Sequence, residues 1–204
     1  MQPATPFSFP GIGQDVARLG RLLALGLRTA GWVAPAAPTV LNLACGRADE
    51  TGVLLGALGP APGPCFYLGI DLRGPEIAEA RRRWPSGPAR QLEFRTGDAS
   101  LTDRMRQLPG FDLVFVRHQN FWHDVPVWTR LYRNALDGLK PGGLLAITSY
   151  FDREHELASA CLRQLGAVRV ADLPHPASRP LDDAPGKSVD RRLALFRPPA
   201  AQPA

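Results

Sequence analysis

The stretch VLNLACGRADE, residues 40–50, decides how the chain folds. Val40–Cys45 is apolar but for Asn42, and Gly46 follows it at once. A short apolar run ending on glycine is the pattern of a strand buried in a parallel sheet and leaving by a turn. Downstream the pattern repeats. Residues 49–58 suit a helix that the Pro/Gly cluster 59–64 breaks, and Phe66–Ile70 is a second apolar run, ending on Asp71. Pro75 opens a helix whose inner side is Ile77, Ala80 and Trp84. Gln91–Thr96 predicts a third strand, ending on Gly97 and Asp98, and Phe111–Val116 a fourth, ending on Arg117 and His118.

Asp124 and Pro126 mark a helix start. Behind them Trp128, Leu131, Tyr132, Ala135, Leu136 and Leu139 recur at helical spacing. Lys140-Pro-Gly-Gly143 stops that helix, Leu144–Ser149 predicts a fifth strand, and Asp152–Leu165 a helix closed by Gly166. Ala167–Val170 and Arg191–Phe196 supply two last strands around a Pro-rich loop, 172–190, which is either a lid or disordered. Upstream, residues 1–13 read as an irregular arm. From Gln14, Val16, Leu19, Leu22, Leu23, Leu27 and Ala30 predict a helix ended by Gly31. Alternating strands and helices require a doubly wound, mostly parallel α/β sheet covered on both faces. Such sheets bind ligands at the carboxyl ends of their strands.

Composition bounds the rest. At 204 residues, 45% apolar and 21% charged, the chain suits one ordinary domain with a core of its own. Cys45, Cys65 and Cys161 are an odd number without a CxxC pair, which excludes a disulfide framework and a structural zinc site. No run approaches the ~18 apolar residues of a membrane span, and Arg21 interrupts Leu19–Leu27, so a cytoplasmic location is expected. The formal charge of +5 invites a nucleic-acid partner. Yet Lys140 and Lys187 are the only lysines, and abundant Arg, Ala, Pro and Gly is equally the mark of a GC-rich coding sequence. Arg81–Arg83 read as a solvated helix face, with Glu79 and Arg83 at i,i+4 spacing.

Chemistry is sought at the strand ends. A carboxylate such as Asp71 can hold a ribose diol, or start the next turn; Asp98 can hold an adenine amino group, or simply turn the chain. The first loop is neither GxGxxG nor GxxxxGK[ST], which disfavours dinucleotide oxidoreduction and leaves phosphoryl transfer without support. Five segments in order, VLNLACGRADE (40–50), YLGIDL (67–72), FRTGDA (94–99), FDLVFVRH (111–118) and LDGLKPGGLLAITSY (136–150), resemble the class I S-adenosylmethionine-dependent methyltransferases. The resemblance covers residues 40–165. It implies a Rossmann-like fold of about seven strands, a cofactor domain over residues 36–197; the chain's own pattern adds an arm and an extra N-terminal helix (1–35) ahead of it and a disordered tail (198–204) after it.

The resemblance also implies S-adenosyl-L-methionine as cofactor, held by Asn42, Ala44, Cys45, Gly46, Asp71, Leu72, Gly97, Asp98 and Ala99. Arg117 either faces the cofactor's carboxylate or seals the strand end. The family pattern has an acid and three glycines where this chain has Asn42, Ala44, Gly46 and Ala48; Ala48 should resist φ > 0. Cys45 reads as a packed thiol. In Arg117–Asp124, His118 or His123 is a candidate general base, with Phe121 and Trp122 as pocket wall; alternatively the aromatics cover the sheet end and His123-Asp124 caps a helix. No Asn/Asp-Pro-Pro-Tyr/Phe motif stands at 117–120 and no cysteine lies near that exit, so base N-methylation and covalent C5 chemistry lack their residues. The expectation is methyl transfer to O or N of a small molecule. RNA as acceptor, and a non-catalytic cofactor-binding role, are the alternatives.

Overall fold

The computed structural model describes residues 11–59, 63–104 and 108–199. The strands are β1 (Thr39–Leu43), β2 (Cys65–Asp71), β3 (Arg90–Thr96), β4 (Phe111–Val116), β5 (Leu139–Ser149), β6 (Val168–Pro174) and β7 (Arg192–Arg197). They form one sheet in the order β3-β2-β1-β4-β5-β7-β6. The first five are parallel; β7 runs antiparallel to both β5 and β6. This is the doubly wound, mostly parallel architecture that the strand–helix alternation predicts.

Successive side chains of a strand point to opposite faces, and both faces here are dry. Val40, Leu113 and Phe115 face one side, while Leu41, Leu43, Val114 and Val116 face the other. Helices α1 (Ile12–Thr29), α2 (Thr51–Ala57) and α3 (Gly74–Arg83) cover the first face through Leu19, Leu23, Leu54, Ile77 and Ala80. Helices α4 (Val125–Asp137) and α5 (Asp152–Gln164) cover the second through Leu131, Tyr132, Ala135, Ala158 and Leu162. Each of these leucines contributes about 1.5–3 kcal/mol by leaving water.

Helix α1 lies close on the sheet because of Gly26: a Cβ there would stand 2.8 Å from Leu193 Cδ2 and 2.9 Å from Leu195 Cδ1. The helix ends in a Schellman motif. Gly31, at φ 62°, donates to the Arg28 carbonyl and Trp32 donates to Leu27. At the start of α4, Asp124 Oδ1 accepts from the Val127 N–H, the cap that the sequence predicts.

Most boundaries move by a residue or two, and three of the differences matter. Helix α1 begins at Ile12, inside the predicted arm, with Gly11 as its N-cap; residues 1–10 of that arm lie outside the described residues, as do 200–204 of the predicted tail. Strand β5 begins at Leu139 rather than Leu144. Leu139 pairs with Phe111 and Leu144 with Leu113, so Lys140–Gly143 is a bulge inside the strand, not a gap before it. Strand β6 runs on to Pro174, and the 175–191 segment that follows is folded rather than disordered. Val189 donates to the Arg179 carbonyl, Ser188 to Tyr150 and Arg191 to Ser149, which pins this flap to the carboxyl end of β5. Among the described residues no helix is long and apolar enough to cross a membrane.

Under the flap, Glu154 of α5 is 1% exposed and accepts from the Tyr150 N–H at 3.2 Å. Burial pushes its carboxyl up to about 7, against the pull of the Tyr150 and Phe151 amides. An unfolded glutamate titrates near ~4.3. Between those values the native state holds a proton that the unfolded state releases, so stability falls as pH rises through the window, by about 3 kcal/mol. Chemical denaturation of wild type and Glu154→Gln at pH 5 and pH 8 checks this: the wild type should lose about 3 kcal/mol more than the variant.

Candidate active site

The order of strands reverses between β1 and β4, and a cleft of about 860 Å³ opens there across the carboxyl ends of β1, β2, β4 and β5. That volume is within the range of small-molecule sites. The loop after β1 forms its floor. Ala44, Gly46 and Ala48 take φ of 53°, 53° and 54°. The alternate positions thus keep the left-handed geometry that glycine would make easy, and Ala48 adopts the conformation the sequence argues against. The side chain of Asp71 clamps the loop: Oδ2 accepts from the Gly46 N–H at 2.7 Å, and Oδ1 accepts from Arg73 N and Nε at 2.9 and 3.1 Å. The Trp84 indole donates to the Ala48 carbonyl at 3.0 Å. Arg83 pairs with Asp49 across the same loop, not with Glu79, which takes Arg82 instead. The 81–83 cluster is therefore partly a brace for the site.

On the next strand end Asp98 Oδ1 accepts from the Ser100 N–H at 2.8 Å, and its residue lines the cleft beside Ala99, Trp128 and Leu131. At the end of β4, Arg117 holds Asp190 in a two-pronged pair at 3.1 and 2.7 Å. Asp190 is fully buried, and Thr148 Oγ1 and His118 Nε2 also stand at 2.9 Å from its Oδ1. Burial alone would raise the Asp190 carboxyl; the neighbouring His118 ring and Arg117 guanidinium hold it well below the ordinary range. The His118 ring stacks on Tyr150, with centroids 4.0 Å apart. Burial pushes the Tyr150 phenol up, against the nearby Arg117 charge. The outer rim closes where Arg179 of the flap grips Asp15 of α1, at 2.6 Å for the shorter contact.

Of the residues singled out in the sequence, Ala44, Cys45, Gly46, Asp71, Leu72, Asp98, Ala99, Arg117 and His118 meet at this cleft. Asn42 is wholly buried beneath it. Gly97 does not line it; its N–H donates to the Asp71 carbonyl. His123 is exposed and stands off the cleft wall, Phe121 is buried against Tyr132, and Trp122 packs on Phe151. Cys45 is a buried free thiol pushed far up by burial and by the Glu50 and Asp71 charges, as a packing residue should be. Sequence reasoning missed Glu50, Asp15, Arg179 and Asp190.

A sequence profile described as a methyltransferase domain matches residues 40–143. The chain belongs to this methyltransferase family. It is a class I S-adenosylmethionine-dependent methyltransferase in fold and enzyme class, and S-adenosylmethionine is its cofactor. No curated protein matches it in sequence. Among solved structures, an S-adenosylmethionine-dependent methyltransferase from Clostridium acetobutylicum ATCC 824 superposes with a TM-score of 0.67 at 11% identity, covering 91% of this chain and 93% of that one. The sugar N-methyltransferase KedS8 from Streptoalloteichus sp. ATCC 53650 gives 0.62 at 15% identity, covering 93% and 90%. An rRNA methylase from Streptococcus thermophilus gives 0.57 at 12%, covering 96% and 100%.

The methyltransferase site fits its cofactor. Asp71 is 4% exposed and spends three of about four acceptor positions on protein donors. One of those is the Nε–H of Arg73, on a side chain 61% exposed, so a ribose diol need displace only that surface contact to reach the carboxylate. The wall carries six carboxylates against four guanidiniums, a balance suited to a cationic cofactor. Asp71→Ala should weaken S-adenosylhomocysteine by at least about 30-fold in calorimetry, since it removes a charged acceptor and the loop clamp together. Ala44→Gly should raise stability by about 0.5 kcal/mol in denaturant melts, relief of left-handed strain exceeding the glycine entropy.

Proposed function

We propose that this methyltransferase acts on an oxygen or nitrogen atom of a small molecule, with His118 as general base. The observation that carries the reading is the state of the His118 ring. It lines the cleft and stacks on Tyr150; its Nε2 lies 3.2 Å from the Asp190 backbone N and 2.9 Å from Asp190 Oδ1, to which it donates in the Nε2–H tautomer, and no described residue hydrogen-bonds its Nδ1. A histidine fixed through one nitrogen and open at the other is arranged to take a proton.

S-adenosylmethionine, when bound, supplies a methyl group on a positively charged sulfur, open to in-line attack. The protein's own part is alignment and proton transfer. As the acceptor's lone pair forms its new bond, its proton passes to His118 Nδ1. The imidazolium then donates from Nε2–H to Asp190 Oδ1. Asp190 is itself neutralised by Arg117 and fixed by the Thr148 hydroxyl, so the ring keeps its orientation through the transfer.

Two features favour a small acceptor over RNA. The six carboxylates of the cleft repel a polyanion, and the Arg179–Asp15 contact roofs the outer end beside Ile12 and Leu181. Most arginines near the site, including Arg47, Arg73, Arg83 and Arg117, are already paired with acids.

Incubating the protein with methyl-labelled S-adenosylmethionine and a fractionated cell extract tests the reading. Label should enter the small-molecule fraction; label confined to RNA, or none at all, would overturn it. On the acceptor so identified, His118→Ala should lower kcat by about 10²–10⁴-fold while leaving S-adenosylhomocysteine affinity within about twofold.

A further inference from the structure

Glu50 differs from the other acids of the cleft: Asp98 is not buried and carries no ion pair among the described residues, and the remaining four are firmly paired. Asp15, Asp49, Asp71 and Glu76 each face an arginine within 3.1 Å. Glu50 is 3% exposed and lines the cleft, yet its nearest cation is Arg117 at 3.5 Å, and Arg117 already holds Asp190 in its two-pronged pair. One guanidinium thus stands between two buried carboxylates. Unpaired buried charge is costly, and Glu50 has only a share of one guanidinium at its longer contact.

The carboxylate is nevertheless held firmly. Asn42 Nδ2 donates to Glu50 Oε1 at 2.5 Å and to the Tyr67 hydroxyl at 2.8 Å. Thr51 Oγ1 donates to the same hydroxyl at 3.0 Å. This orientation leaves Asn42 Oδ1 buried without a partner, the cost of turning the amide group towards Glu50. A carboxylate at position 42 would face Glu50 with like charge; an amide there lets the charge sit at position 50, on the cleft wall.

Topology says what would meet it. Asp71 ends β2, and Glu50 and Arg117 lie across the Ala44–Gly46 turn, towards β1 and β4. A ligand whose sugar rests on Asp71 and which crosses that turn brings its far end to Glu50. In S-adenosylmethionine that end is an amino acid bearing an ammonium group. We propose that Glu50, positioned by Asn42, is the anionic partner of the cofactor's ammonium group. The inference rests on S-adenosylmethionine being the cofactor.

A double cycle tests it by calorimetry, pairing Glu50→Gln with S-adenosylhomocysteine and its deaminated analogue, and 5′-methylthioadenosine as the ligand lacking the amino acid. Glu50→Gln should weaken S-adenosylhomocysteine about tenfold or more, while the deaminated analogue and methylthioadenosine change less than about twofold. Equal loss for all three ligands, or no loss, overturns the assignment. Should Glu50→Gln not fold, the wild type decides: a deaminated analogue that binds as tightly as S-adenosylhomocysteine overturns it, and weaker binding supports it. Failure of the wild type to bind S-adenosylhomocysteine at all would instead remove the cofactor itself.

Discussion

The site is organised around one fully buried carboxylate, Asp190. It joins three parts of the chain that are distant in sequence: Arg117 and His118 after β4, Thr148 on β5, and the flap that carries Asp190 itself. A buried ion pair seldom adds net stability, because desolvation consumes most of the attraction. Its effect here is geometric. With Arg117 fixed on two oxygens and Thr148 on one, the His118 ring has a single favourable position against Tyr150. His118 and Asp190 both hold φ near 50°, an unfavourable conformation for side-chain-bearing residues that the contacts converging on Asp190 maintain.

The first loop follows a different logic. Ala44 and Ala48 keep the left-handed backbone that the family's glycines would adopt without strain. The loop is held from outside by Asp71 on the Gly46 amide, by Trp84 on the Ala48 carbonyl, and by Arg83 on Asp49. Each brace comes from β2, from α3 or from the residue that caps α3. The substitution of alanine for glycine is thus tied to the packing of the neighbouring βα unit, and an arginine cluster that reads as solvated surface has a structural role.

Much of this was legible beforehand, for physical reasons. Strands buried on both faces must be apolar throughout, so their runs and the acids at their ends stand out; Asp71, Asp98, Arg117 and His118 were found that way. The Lys140–Gly143 bulge was hidden because Pro-Gly-Gly breaks a helix and a strand alike, and only pairing with Phe111 distinguishes them. His123 and His118 are equivalent in sequence, five residues apart on one exit; the turn at Phe121–His123 carries one away from the cleft. Asp190 lies 73 positions from Arg117, in a loop without periodicity, and nothing local marks it. Glu50 had one faint sign: the acid missing at position 42 reappears eight residues later.

Strand β7 lies between β5 and β6, so the strand made after all others fills an interior place in the sheet. During synthesis, an incomplete chain presents the bare edge of β5 until residues 192–197 emerge, and a bare edge recruits other strands. Asp190 emerges immediately ahead of that strand. Closing the sheet and fixing His118 are therefore a single late event, and a chain cut short of β7 lacks both. Assembly order itself keeps His118 from being held against Tyr150 before the fold is complete.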